Sequence, residues 1–290
     1  MHLLLLFALW LPSTARDTCR IAFSDSHVHL NDPDNWIGLM DEYGVDRAVV
    51  LAGRGADNAA LAEAAHRWPG RFLPFLSLSP EHRAFRPAWD ADDGRLEPLL
   101  DSLLQTGNYF GIGEISVVHF PGAGFPEADY SPMGRTMQGI LRAARRYGVP
   151  VLVHSEVTRL REFESMLSAY PEVTVIWAHG GYTPLFLARR LLEKHPNLVY
   201  ELSARTWVHH PRSPDYTFLR DGARVWEEWL ALIEAMPHRF LVGTDAAGRS
   251  GIGDAEHIRS VQNILCQLSP PARARVARDN FTALLYRSGG

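Results

Sequence analysis

Downstream of a leucine-rich N-terminal run, short blocks of consecutive apolar residues alternate with longer stretches whose apolar positions recur at helical spacing. The first pattern marks strands and the second amphipathic helices, with Gly, Pro, Asn and Asp collected between them. Eight strand-then-helix pairs result. Strands are expected at Ile21 to Asp25, Arg47 to Leu51, Phe72 to Leu78, Tyr109 to Ile115, Val149 to His154, Val173 to Ala178, Leu198 to Leu202 and Phe240 to Gly243. Helices are expected at Trp36 to Tyr43, Ala56 to Trp68, Leu96 to Gln105, Pro132 to Tyr147, Leu160 to Ala169, Thr183 to Lys194, Ala223 to Ala235 and Glu256 to Gln267. Another helical segment begins after Pro270 and Pro271, and Asp279-Asn280 opens a short last one (FTALLY).

Blocks such as VPVLVH and VTVIWAH are apolar at successive positions rather than at every second one. Side chains alternate across a strand, so such blocks need cover on both faces, as parallel strands sandwiched by helices have. Eight units of strand and helix predict an α/β fold of the TIM-barrel type, a closed (β/α)8 barrel, with a doubly wound open sheet as the alternative. No linker-like stretch or internal repeat divides the chain, so residues 16–290 are expected to form a single domain. The longest connections follow strand three (SPEHRAFRPAWDADD), strand four (SVVHFPGAGFPEADYS) and strand seven (SARTWVHHPRSPDYTFLRDG). All three leave the carboxyl ends of strands, the rim on which barrels build their pockets.

The polar residues on that rim are of one chemical kind. His27 and His29 stand two apart at the end of strand one, so both imidazoles point to one face. Glu114 ends strand four (GIGEIS), His154 strand five (VLVHSE), His179 strand six (IWAHGG) and Asp245 strand eight (LVGTDA). Each alone reads better as a helix cap, a hydrogen-bonded strand end or a satisfied buried polar group than as a ligand. Together, four imidazoles and two carboxylates are costly to bury without a cation to take their lone pairs, and the six are read as metal ligands. Arg205 and Trp207 follow strand seven and are expected on the same rim as substrate-binding residues, the guanidinium for a carboxylate and the indole for an apolar ring. The plain alternative for Arg205 is to pin its own loop. His119, Tyr182, His209 and His210, on neighbouring loops, are weaker candidates.

From SDSHVHL to RDNFTALL, nearly all of the chain beyond its leader, this pattern resembles the amidohydrolase superfamily of metal-dependent barrel enzymes, with HxH on strand one, histidines on strands five and six and an aspartate on strand eight. The resemblance implies that His27, His29 and Asp245 hold one metal, while His154 and His179 hold a second or orient substrate and water. Members that bridge two metals use a carbamylated lysine or a glutamate from strand four. Lys194 lies far along helix six, which leaves Glu114 as the candidate bridge, in an arrangement similar to the TatD-like branch. The segments WAHGG, HPNLVYELS and DNFTALL look more like the amidohydrolase-2 branch of hydrolases, lactonases and decarboxylases, which frequently uses a single metal. In that case Glu114 would orient a histidine instead.

A divalent ion on such ligands brings the pKa of bound water to roughly 7, and Asp245 is expected as general base, with His179 assisting at the polarised oxygen. Zinc suits the histidine-rich set best, as one ion or two, although Mn2+, Fe2+ or cobalt would also be accepted. The expected activity is hydrolysis of an amide, ester, lactone or phosphoester bond in a small molecule. The alternatives are a decarboxylase of the same superfamily and a metal-bearing binding protein without turnover.

Composition narrows the rest. The 290 residues carry 29 Lys plus Arg against 33 Asp plus Glu, a net charge of -4 that gives no electrostatic case for a nucleic-acid partner. All but one of the 29 basic residues are arginine, so Schiff-base and P-loop chemistry have only Lys194 to work with. No GxSxG elbow is present. Residues 1–15, an apolar run Leu3 to Leu11 ending in Pro12-Ser13-Thr14-Ala15, read as a signal peptide, too short to be a stable membrane anchor. Periplasmic or secreted placement follows; a wrongly chosen start codon would make the protein cytoplasmic. Cys19 precedes strand one and Cys266 ends helix eight, both at the barrel floor, so in an oxidising compartment the two could meet in a disulfide; the alternative is one exposed and one buried thiol, both inert, and the sequence leaves the choice open. The oligomeric state is left open.

Overall fold

Parallel pairing runs unbroken through eight strands in the computed structural model, which describes residues 19–53, 57–78, 94–121, 127–246 and 253–285. The barrel strands are β1 (Phe23–Leu30), β2 (Val45–Ala52), β3 (Phe72–Leu76), β4 (Gly111–His119), β6 (Val151–Ser155), β7 (Val175–Trp177), β8 (Leu198–Glu201) and β9 (Phe240–Leu241). A two-residue strand, β5 (Ala128–Asp129), pairs antiparallel with the end of β4 outside the barrel path. The fifth to eighth barrel strands are therefore β6 to β9. Beyond Leu241 the chain closes the ring on β1: Ser26 N donates to Val242 O (3.0 Å), Asp245 N to His27 O (2.8 Å) and His29 N to Ala246 O (2.9 Å). The protein is a single-domain (β/α)8 barrel, not an open doubly wound sheet.

The helices are α1 (Pro33–Tyr43), α2 (Asn58–Arg67), α3 (Leu96–Leu104), α4 (Arg135–Tyr147), α5 (Leu160–Ala169), α6 (Leu185–Lys194), α7 (Glu227–Ala235) and α8 (Asp254–Cys266), then α9 (Pro270–Ala274) and α10 (Asn280–Leu285). Strands apolar on consecutive residues build two layers of core. Val49, Leu51, Leu73, Phe75, Leu152, Ile176 and Leu241 form one cluster together with Phe281 of α10, while their strand neighbours Ala48, Val50, Phe72, Leu76, Val151, Val153 and Phe240 belong to the larger one that includes the helices. Alternate residues of a strand thus serve different layers, which is why no polar stripe interrupts these blocks.

Most boundaries agree with expectation to within a turn. Three differ for physical reasons. β1 continues through His27 and His29 to Leu30 because β2 and the closing segment pair with it on both sides. β4 runs on to His119 because β5 gives its last residues a partner. α7 starts at Glu227 rather than Ala223, since Val225 is bridged to Leu219 and Trp226 donates its indole N–H to Thr217 Oγ1 (3.0 Å). Of the two alternatives left open for the cysteines, the structure has the disulfide, between Cys19 and Cys266. Residues 1–15, expected as a signal peptide, Ala56 at the expected start of α2, most of the loop after β3 and part of the loop after β4 lie outside the described residues. Among the described residues no helix is long and apolar enough to cross a membrane.

Candidate metal centre

β1 places Asp25, His27 and His29 on one face by alternation, and the two histidines belong to the centre. His27 Nε2 and His29 Nε2 stand 3.2 Å apart. Glu114 Oε2 lies 3.5 Å from the first and 3.4 Å from the second; Asp245 Oδ1 lies 3.4 Å and 3.3 Å from the same two atoms. Either carboxylate therefore closes a triangle with the histidine pair. A triangle with edges of about 3.3 Å is a face of a tetrahedron whose centre is about 2.0 Å from each corner, the distance at which zinc binds nitrogen and oxygen. The donor set fits a divalent ion in both chemistry and spacing.

Glu114 spans this pair and a second one. Its other oxygen, Oε1, is 3.1 Å from His154 Nδ1 and 3.5 Å from His179 Nε2. Asp245 Oδ2 faces His179 Nε2 at 3.9 Å. All six residues expected as ligands converge, although they come from five strand ends far apart in the chain. Their charges are interdependent. Burial works against a charged His29, yet hydrogen bonds to Asp245 and Glu114 overcome it and push its pKa up to about 9. Burial likewise opposes charge on His154, which Glu114 and Glu156 raise to about 9. Asp245 goes the other way: burial would raise it, but His27 and His179 hold it at about 2.

The backbone is bent to reach this arrangement. From His179 to Tyr182 four successive residues have φ between 51° and 57°, a left-handed turn that directs His179 back over the barrel mouth. Glycine is required in its middle, because a Cβ on Gly180 would lie 1.7 Å from the Tyr200 ring and one on Gly181 2.3 Å from Ser155 O. Asp245 is also left-handed (φ 50°). Non-glycine residues in this region cost energy that the surrounding structure must offset, and such positions collect at functional sites. Tyr182 stacks on the His179 ring with centroids 5.3 Å apart, and burial pushes its phenol well above the usual range.

Two further carboxylates, Glu201 and Asp25, hold the candidate donors in place. Glu201, fully buried at the end of β8, approaches His27 Nδ1 with Oε2 (3.4 Å), accepts from the His179 backbone N–H (3.2 Å) and from Ser203 N (2.7 Å), and takes the Ser203 hydroxyl. Ser203 Oγ is 2.8 Å from His179 Nδ1. With an acceptor at Nδ1, His27 donates there and presents the Nε2 lone pair to the centre. Asp25 accepts from the His27 and Thr244 backbone N–H groups (3.0 and 2.9 Å) and from Thr244 Oγ1 (2.7 Å), joining β1 to the segment that carries Asp245. Burial raises its pKa to about 7 against those bonds. Both carboxylates were visible as polar residues at strand ends, by the same pattern that marked the ligands.

The remaining candidates are placed differently. Arg205 is completely buried, its guanidinium 5.2 Å from the centroid of the Trp229 ring and its Nη2 donating to Thr183 O (3.3 Å). Trp207 is half-buried and edge-on to His257 (4.8 Å), whose Nδ1 donates to Thr244 O (2.8 Å). His119 lies beside His154, whereas His209 and His210 are exposed and line a separate cavity of about 360 Å³ with Arg212 and Arg220.

Fold and site together define a (β/α)8 barrel with a metal-type donor cluster at the carboxyl ends of its strands. The chain belongs to the amidohydrolase family: the amidohydrolase-2 family model, described as Amidohydrolase, matches residues 24–286. Among solved structures it is similar to a protein from Agrobacterium tumefaciens (TM-score 0.64, 16% identity, covering 93% of this chain and 97% of that one). It is also similar to 2,6-dihydroxybenzoate decarboxylase from Rhizobium (0.59, 14%, 92% and 100%). A third is a probable 2-pyrone-4,6-dicarboxylic acid hydrolase from Acinetobacter baumannii with citric acid bound (0.56, 13%, 91% and 99%). At these identities the likeness is one of fold. None of the curated proteins matches this chain.

Proposed function

We propose that this protein is a metal-dependent hydrolase that opens an amide, ester, lactone or phosphoester bond in a small molecule. The observation that carries the reading is the division of Glu114, one oxygen towards His27 and His29 and the other towards His154 and His179, with Asp245 facing the first pair and, from its other oxygen, His179. His27, His29 and Asp245 would hold a divalent ion, with zinc the best match, and Glu114 would link it to His154 and His179. An ion there supplies Lewis acidity and makes bound water acidic enough to provide a nucleophile near neutral pH. Asp245, kept ionised by its histidine neighbours, would accept a proton from the attacking water and return it to the leaving group. His179, fixed at Nδ1 by Ser203, directs Nε2 at the reacting oxygen. Glu201 holds the tautomers of the centre. Trp207 offers an apolar wall, and the full burial of Arg205 against Trp229 supports a role in pinning its loop rather than in gripping substrate.

The leader and the Cys19–Cys266 disulfide support a periplasmic or secreted location. The decarboxylase reading is supported by the barrel shared with the Rhizobium enzyme. A panel of esters, lactones, amides, phosphoesters and aromatic acids, assayed with zinc and manganese, separates the two. Hydrolysis, with solvent oxygen entering the product and activity lost in His27→Ala, is the expected result. Carbon dioxide release without uptake of solvent oxygen would replace it with decarboxylation.

A further inference from the structure

Glu156 takes no part in the chemistry above, although it is buried beside the centre. It stands two residues after His154, on extended backbone just beyond the end of β6, so both side chains leave on the same face. Its Oε1 is 3.2 Å from His154 Nε2; its Oε2 is buried and has no hydrogen-bond partner among the described residues. A carboxylate oxygen enclosed without a donor is unfavourable unless something positive occupies the space in front of it. His119 supplies the third donor. Its ring centroid is 4.7 Å from that of His154, and one ligand atom from each of His119, His154 and Glu156 lies within 4.8 Å of the others.

The frame beneath these side chains is held by backbone hydrogen bonds. Glu156 N donates to Val118 O (3.1 Å), Val118 is in register with Ser155, and Val118 and His119 pair with Asp129 and Ala128 of β5. The small strand β5 thus extends β4 by the residues needed to bring His119 alongside β6. Sites built on paired strands hold their donors more firmly than sites on loops.

We propose that His119, His154 and Glu156 form a second cation site on the Nε2 side of His154, for zinc or another borderline divalent ion. Two imidazoles and one carboxylate make a three-ligand set that leaves an open position. On the opposite edge of the same ring, Nδ1 of His154 faces Glu114 Oε1 at 3.1 Å, the carboxylate partner that orients a metal-ligating histidine. Glu114 then joins both centres through one side chain. The open position suits an anionic oxygen, a carboxylate or phosphate, on the substrate. The site needs neither His27 nor Asp245, so it stands or falls separately from the function proposed above.

The test is zinc stoichiometry of the full chain, by equilibrium dialysis and elemental analysis of wild type, Glu156→Gln, His119→Ala and His27→Ala. Glu156→Gln and His119→Ala should each hold one equivalent fewer than wild type. Retention of the wild-type count by either folded variant overturns the proposal. If Glu156→Gln fails to fold, His119→Ala, at a half-buried strand end, decides alone. An unchanged count in His27→Ala would instead contradict the first centre and leave this one standing.

Discussion

At the scale of single residues the centre depends on side chains that touch it and on side chains that hold those. Glu201→Gln keeps the shape but replaces the acceptor at His27 Nδ1, and it should weaken metal binding by about 10- to 100-fold, measured by competition with a chromophoric chelator. An unchanged affinity would show that Glu201 serves only the backbone of His179 and Ser203. Asp245→Asn should retain the fold and lower kcat by about 10²–10⁴, the usual loss for a missing general base. Gly180→Ala combines a left-handed φ of 54° with a Cβ 1.7 Å from the Tyr200 ring, and should cost more than about 2 kcal/mol in urea unfolding. The six candidate ligands were legible in sequence because each follows an apolar block at its carboxyl end. Glu201 obeys the same pattern, but nothing local marks its role, since its partners, the backbone of His179 and the hydroxyl of Ser203, exist only after folding.

Elements were legible where a local pattern specified them and hidden where a neighbour did. The alternation of Asp25, His27 and His29 is local, and so are the capped helices: Asp32 accepts from Asn35 N (3.1 Å) at the start of α1, and Gly44 ends it with φ 79°. The left-handed turn at His179–Tyr182 has no such signature beyond its two glycines, and β5 is a strand only because β4 passes beside it. Between helices, Glu97 of α3 takes the guanidinium of Arg142 on α4, and that hydrogen bond holds its carboxyl below the ordinary 4.5. A carboxyl lowered in the folded state adds stability above its unfolded pKa and loses it as pH falls through the folded one. Glu97→Gln should therefore lower Tm slightly at pH 7, with a gap that narrows below about pH 4.5; a gap constant with pH would assign the effect to packing.

For the molecule as a whole, eight strand ends face one rim, so residues 27 to 245 meet in space through barrel closure alone. The ring is stapled near its seam by Cys19–Cys266, which encloses 247 residues of sequence separation. Reducing it, or replacing Cys266 by serine, should cost about 2–5 kcal/mol in denaturant unfolding with the barrel's circular dichroism preserved, and no change would mean the bridge is not formed in solution. The central claim is that an ion binds between His27, His29, Glu114 and Asp245. The direct measurement is anomalous diffraction at the zinc edge from crystals of the full chain grown with zinc. The account predicts a peak about 2.0–2.2 Å from His27 Nε2 and His29 Nε2 and from an oxygen of Asp245 or Glu114. Density at that point explained by water alone, with no anomalous signal at saturating zinc, would contradict it.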